Sequence, residues 1–241
     1  MKIRLDQYIM ELGLAGSRNR AQELIKEGLV LLNGKICKKP AKEIITGSSV
    51  SVVEQQQWVS RAGKKLFEAL KSFEVEVEGK TALDVGSSTG GFTQVLLYEG
   101  AEKITSVDVG TDQLHSSLRN VARISLLEQT DIRDISSRLK DSFDIVVVDV
   151  AFISLSKIIK DIEIVARTGG DIILLYKPQF EVGKQNLSKN GVVKKEIDTQ
   201  KILGHFLKSL EKSSLYFEKY RKAYITGKKG NQEIFVHLKK C

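Results

Sequence analysis

Two apolar runs in this sequence end on a charged residue. DIVVVDVAFISL carries Asp149 and IILLYKPQFEVGK carries Lys177, directly before Pro178. A lysine at a buried strand end is costly unless it is paired, and Asp149 on a neighbouring strand is the obvious partner. Partial burial lowers the pKa of a lysine, which would let such a group take a proton from a hydroxyl near neutral pH while the carboxylate orients it. The plainer account of Asp149 is a cap for a helix beginning near Ser154.

A second constellation lies in TALDVGSSTGGFT, Thr81 to Thr93. Apolar Ala82, Leu83 and Val85 flank Asp84, and Gly86, Ser88, Gly90 and Gly91 open into an apolar-periodic segment. This is the pattern of a buried parallel strand, a tight turn and a helix N-terminus. About 22 residues beyond Gly86, ITSVDVG ends in Asp108, placed to accept hydrogen bonds from ribose hydroxyls. A dinucleotide site wants G-x-G-x-x-G and brings a pyrophosphate to the helix. Here the glycine spacing differs, and a carboxylate at Asp84 would repel a pyrophosphate but suit a cation. S-adenosylmethionine has a sulfonium and an ammonium and no phosphate, so the charge favours it. The bland alternative is a helix–sheet contact that needs glycines.

These residues need a sheet to hold them, and 241 residues suffice for one large domain and a small one. From Ser60 onward strands and helices alternate: a helix over 60–73, strands near 81–85, 103–108, 123–128, 143–149 and 171–177, and helices over 91–99, 112–119, 155–167 and 196–213. Final strands near 215–224 and 232–239 have no helix between them and should pair antiparallel. This reads as an α/β Rossmann-like sheet, mostly parallel with an antiparallel C-terminal hairpin. Its ligands belong at the carboxyl ends of the strands, where Asp84, Asp108, Asp149 and Lys177 fall.

Composition narrows the class. A net charge of +8 points to a polyanion, either nucleic acid or an anionic membrane. Cys37 and Cys241 have no metal-ligand spacing, no metal is indicated, and a reduced cytoplasmic protein fits them. No apolar leader or bilayer-length run is present, so neither secretion by a signal peptide nor stable membrane insertion is expected.

Ahead of the large domain, residues 1–54 read as a small α+β unit. Apolar spacing over 3–12 suggests a helix ending at Gly13, Ser17 caps a second helix to Glu27, and Asn33-Gly34 signals a hairpin. Arg4, Arg18, Arg20, Lys26 and Lys35, with Lys38, Lys39 and Lys42, form a phosphate-binding surface if they share a face, and a solvated basic rim otherwise. RLDQYIMELGLAGSRNRAQELIKEGLVLLNGK resembles the RNA-binding domain named for ribosomal protein S4. Residues 55–59, QQQWV, read as a polar linker, with Trp58 either an anchor between domains or a core aromatic.

Residues 60–241 resemble the FtsJ-like ribose 2′-O-methyltransferases, which use a Lys–Asp–Lys–Glu tetrad. With the RNA-binding unit in front, the whole chain resembles the TlyA family, described as haemolysins and as ribosomal RNA 2′-O-methyltransferases. WVSRAGKKL, LDVGSSTGGFT, VDVG, DIVVVDVAFISL, YKPQFEVGK and GNQEIFVHL carry the match. The resemblance places the tetrad on Lys65, Asp149, Lys177 and Glu233, with Lys64 competing for the first position. Gln56 stands where the family often has an arginine, and Ser88 replaces a loop glycine. The implied reaction is an in-line displacement in which a 2′-hydroxyl of ribosomal RNA is deprotonated by Lys177 and takes the sulfonium methyl. The resemblance suggests a cytidine as the nucleotide. Asp149 and Lys65 would position it, and Glu233 would hold the lysines. Asp131 in EQTDIRD is a candidate to reach the adenine or a turn former, and Phe92 a candidate to pack on the cofactor or in the core. His115, His205 and His237 form no cluster. The competing readings are a membrane-active haemolysin and an inactive ribosome-binding module.

Overall fold

The computed structural model describes residues 2–52 and 58–241. Gln56 and the rest of 53–57, including most of the expected linker, lie outside the described residues. The chain divides into two compact units, Met1–Gln57 and Trp58–Cys241.

In the first unit β1 (Lys2–Arg4) leads straight into α1 (Leu5–Glu11), so the apolar pattern over 3–12 belongs to a strand and then a helix. Ser17 caps α2 (Arg18–Lys26) by accepting from Arg20 N–H at 3.2 Å. β2 (Val30–Leu32) and β3 (Lys35–Ile36) form the expected hairpin, with Asn33 and Gly34 both at positive φ as a tight turn of this hand requires. β4 (Glu43–Ile45) pairs with β1, and β5 (Val50–Val52) pairs with β2. Leu5, Ile9, Ala21, Leu24, Ile25 and Val30 make the core.

The second unit opens with α3 (Arg61–Phe73), which buries Leu66, Ala69, Leu70 and Phe73 on one stripe. Ser60 precedes it without making a side-chain cap bond. β6 (Thr81–Val85), α4 (Gly91–Tyr98), β7 (Lys103–Val107), α5 (Ser116–Arg119), β8 (Ile124–Leu127), α6 (Ile132–Ile135) and β9 (Phe143–Val148) follow in alternation. Then come α7 (Ile159–Val165), β10 (Ala166–Tyr176), α8 (Pro178–Glu181), α9 (Thr199–Ser209), β11 (Leu215–Lys222) and β12 (Ile234–Lys240). The seven strands lie in the order β11-β12-β10-β9-β6-β7-β8. β10, β9, β6, β7 and β8 are parallel neighbours, while β12 runs antiparallel to both β10 and β11. The expected helix over 112–119 shrinks to four residues, and β10 begins five residues early, with its register to β9 shifting between Ala166 and Asp171.

The sheet's two faces are buried separately. Val146, Val148, Ile172, Leu174 and Val236 pack under α7 and α9, and Ala82, Ile145, Val147, Ile173 and Phe235 under α3 and α4. Residues alternating along one strand thus serve opposite cores, which is why these strands read as continuous apolar runs. Trp58 packs inside this unit, its ring 5.3 Å from Phe67 and 5.5 Å from Tyr98. His237 binds Asp171 at 2.9 Å, far along β12 from Glu233. Among the described residues no helix is long and apolar enough to cross a membrane, and no group of three or more His, Cys, Asp or Glu could hold a metal.

Asp6 carries the heaviest charge burden of the first unit. It is fully buried and accepts from Arg4 at 2.7 and 2.9 Å, from Gln22 at 2.9 Å and from Arg18 at 3.4 Å. The Arg4 hydrogen bonds hold its carboxyl well below the usual range, so the stability it contributes is present above about pH 4 and is lost as the pH falls. Asp6→Ala should destabilise this unit by about 2 to 3 kcal/mol, less than a fully buried pair because both arginines stay partly exposed. Hydrogen exchange on the full chain checks it: protection should drop over 2–52 and hold over 58–241, and unchanged protection at 2–52 refutes it.

Candidate active site

The parallel register brings the carboxyl ends of β6, β7 and β9 to one edge. Gly86 N–H donates to Val107 O at 2.8 Å, and Asp149 N–H to Val85 O at 2.9 Å, so the three strand ends are knitted together. Gly86 has φ +85, and a Cβ there would lie 2.6 Å from the Asp149 carbonyl oxygen, so only glycine lets the loop sit this close to Asp149. Gly90 (φ +88) precedes α4 and leaves no room for a side chain against Leu114 and Leu118. Gly91 and Gly63 face each other without side chains, which draws the start of α3 onto the start of α4 and brings Lys65 to this edge.

Two carboxylate–lysine pairs stand there, Lys65–Glu233 buried and Lys177–Asp149 partly buried. Lys177 Nζ is 2.6 Å from Asp149 Oδ1, and Lys65 Nζ is 2.6 Å from Glu233 Oε2. The register explains their proximity: Tyr176 pairs with Ile234, so Lys177 and Glu233 occupy the next step along β10 and β12. Gln179, two residues past Lys177, donates to Glu233 Oε1 at 3.4 Å. Lys65, 8% exposed, is the lysine that meets Glu233, whereas the Lys64 Nζ lies over the Tyr224 ring at 5.8 Å. Among the described residues the cap of the turn after Asp149 is Ser154, accepting from Ser156 N–H, while Asp149 pairs with Lys177.

On the glycine-loop side, Asp84 is fully buried. Its Oδ2 accepts from Thr93 at 2.6 Å, Thr93 also contacts Ser106 at 2.8 Å, and Oδ1 is buried with no hydrogen-bond partner. Burial, with help from the charges of Asp149 and Asp108, pushes its carboxyl up from the ordinary range to about 7. Asp108 accepts from Ser88 N–H at 2.8 Å and Gly110 N–H at 2.7 Å, which moulds the loop around it. A concave turn, an orphaned buried carboxylate oxygen and a second carboxylate at the next strand end suit a ligand that is cationic at one end and rich in hydroxyls at the other.

Other expected residues sit elsewhere. Phe92 is 2% exposed and stacks on Phe235 at 6.1 Å in the core under α3 and α4, so it is a packing residue. Asp131 caps α6 and grips Arg133 at 2.6 and 2.9 Å, which occupies both its oxygens and favours the turn-forming account. Arg4 and Arg18 are spent on Asp6, and Arg20 pairs with Glu23 at 3.3 Å. Lys26 and Lys35 are exposed and in no ion pair among the described residues.

Sequence reasoning missed two residues. Phe152 is 93% exposed at φ +65, with its ring 5.3 Å from Phe180, itself three residues past Lys177. An exposed aromatic in a strained left-handed conformation is the sort of feature kept for a ligand, and its place three residues after Asp149 was the available signal. Glu181 accepts from Ser154 Oγ at 2.6 Å and Leu155 N–H at 2.9 Å, locking the Asp149 and Lys177 segments together.

Residues 58–240 match the family model for FtsJ-like methyltransferases, and residues 3–49 match that of the S4 domain. The 16S/23S rRNA (cytidine-2′-O)-methyltransferase TlyA of Mycobacterium tuberculosis is 42% identical over 195 residues, 80% of this chain and 73% of that one. Hemolysin A of Brachyspira hyodysenteriae is 37% identical over 238 residues, 98% of this chain and 99% of its own. A solved structure of a hemolysin-like protein from Streptococcus thermophilus superposes with a TM-score of 0.72 at 34% identity, across 99% of this chain and 88% of that one. The chain therefore belongs to the FtsJ-like methyltransferases, in the group of TlyA and hemolysin A, with an S4 domain ahead of the catalytic fold.

Proposed function

We propose that this protein methylates a ribose 2′-hydroxyl, that of a cytidine in ribosomal RNA, with S-adenosylmethionine as donor. The observation that carries this reading is the two Lys–carboxylate contacts, the partly buried Lys177–Asp149 and the buried Lys65–Glu233, at one sheet edge. The donor supplies an electrophilic methyl on its sulfonium when bound. Asp84, Gly86, Ser88, Gly90 and Gly91 would hold its cationic end and Asp108 its ribose. Lys177 takes the proton from the 2′-hydroxyl, and Asp149 fixes the Nζ atom that receives it. Lys65 lends positive charge to the developing alkoxide, and Glu233 holds Lys65 in place. Phe152 offers a flat apolar face on which the base of an unstacked nucleotide would rest. Residues 1–54 serve as the RNA-binding unit, with Lys26 and Lys35 available for phosphate and Arg4, Arg18 and Arg20 sharing that work with their ion pairs. A ribosomal substrate implies a cytoplasmic protein.

Three outcomes test this. Label from S-adenosylmethionine should enter unmodified ribosomal subunits and leave the modified linkage resistant to alkali. Lys177→Ala should lower that transfer by about 100-fold or more while cofactor binding persists; wild-type protein that binds cofactor but labels no RNA refutes the assignment. Phe152→Ala should raise KM for RNA about tenfold, the worth of one stacked base, with cofactor affinity unchanged; an unaltered KM removes Phe152 from the site.

Asp84 gives a pH signature. In the ligand-free fold its carboxyl keeps a proton that the unfolded chain has lost, so stability falls as the pH rises from about 4 to about 7. Above about 7 the group is charged and attracts the cationic end of the donor, so affinity measured by calorimetry should tighten through that value. Asp84→Asn should flatten both profiles. A pH dependence retained in Asp84→Asn would assign it to another group.

A further inference from the structure

Beside the two ion pairs lies a body of charge that the chemistry above does not use. The segments 183–198 and 225–232 adjoin Lys177 and Glu233 in the chain, and a buried amide rivets them together. Asn231, 6% exposed, donates from Nδ2 to Gly191 O at 3.0 Å, and its Oδ1 accepts from Val193 N–H at 3.0 Å. An antiparallel bridge between Leu187 and Val193 folds the first segment back on itself, and Lys229 reaches across it, its Nζ 3.1 Å from where a Cβ on Gly191 would be. A cavity of about 260 Å³ opens between the segments, lined by Pro178, Lys194, Lys195, Thr199, Asn231 and Gln232 among others. It therefore begins one residue from Lys177 and one residue from Glu233.

Lys184, Lys189, Lys194, Lys195, Lys228 and Lys229 lie on these segments, and none is in an ion pair among the described residues. The carboxylates within the two segments are Glu196 and Asp198, and Asp198 is engaged by the Gln200 and Lys201 N–H groups at the start of α9. Six unneutralised ammonium groups held on a riveted lip repel one another, and a polyanion relieves that repulsion. Surface lysines left to solvent need no such rivet. A phosphodiester chain is the polyanion that the assigned substrate supplies, and a cavity of about 260 Å³ has room for a phosphate.

We propose that this lip is the track on the catalytic unit that takes the RNA backbone flanking the methylated ribose, an inference that rests on the substrate class assigned above. The full-length variant Lys194→Gln/Lys195→Gln/Lys228→Gln/Lys229→Gln tests it, against an all-arginine variant at the same positions. RNA binding is measured over a salt series with unmodified ribosomal RNA, and methyl transfer over an RNA series. Every phosphate that goes unneutralised lowers the slope of log affinity against log salt by about 0.7, so the glutamine variant's slope should fall by about 3. Its KM for RNA should rise at least tenfold with kcat, melting temperature and cofactor affinity unchanged, and the arginine variant should behave as wild type. An unchanged salt slope and KM in the folded glutamine variant overturns the proposal. So does loss of binding to phosphatidylserine vesicles with RNA binding intact, which would make the lip a lipid surface. If wild-type protein transfers no methyl to RNA, the assigned activity fails, and the salt slope still decides the lip.

Discussion

One close approach governs the catalytic unit: the backbone of Gly86 rests against the carbonyl of Asp149, with 2.6 Å left where a Cβ would stand. Through it the loop that would hold a methyl donor and the aspartate that orients Lys177 become parts of one rigid edge. Val85 and Val107 receive the hydrogen bonds that hold the edge flat, and Asp108 shapes the far side of the loop. Any side chain at residue 86 would push the loop away from Asp149, and in the proposed reaction that would separate donor and base, a separation a reacting geometry tolerates poorly.

The second constraint is charge in a dry place. Lys65 and Glu233 are separated by 168 positions and meet at 2.6 Å with almost no solvent. Such a pair gains little net stability, because desolvation offsets attraction, but either partner alone is strongly unfavourable. The pair therefore works as a specification: α3 and β12 are in register only when both charges are answered. Glu233 uses both oxygens, one for Lys65 and one for Gln179, which leaves the turn after Lys177 little freedom.

Much of this was legible in the chain, for definite reasons. Strands buried on both faces leave uninterrupted apolar runs, so β6, β9 and the centre of β10 declared themselves, and Asp149 and Lys177 stood out as the charges that ended them. The glycine loop was legible because a positive φ and a close approach both demand glycine. What failed was anything set by which partner a side chain meets once folded. The start of β10 hid in ARTGG, whose glycines look like a turn. Arg4 and Arg18 read as free cations because spacing does not reveal that Asp6 is buried beneath them. Asp131 and Phe92 were ambiguous because a linear pattern does not rank possible partners, whether near in the chain, as Arg133 is to Asp131, or far, as Phe235 is from Phe92. Phe152 went unnoticed among apolar neighbours because its exposure is a property of the fold.

The place of β12 in the sheet has a consequence for the life of the molecule. This strand is synthesised after the other six, yet it slots between β10 and β11, and the carboxylate that answers Lys65 immediately precedes it. Until β12 leaves the ribosome, Lys65 lacks its counter-charge and β10 has an open edge. The catalytic unit thus reaches its full set of strand pairings only when that strand has emerged, and a chain stalled before it carries Lys65 with its counter-charge missing.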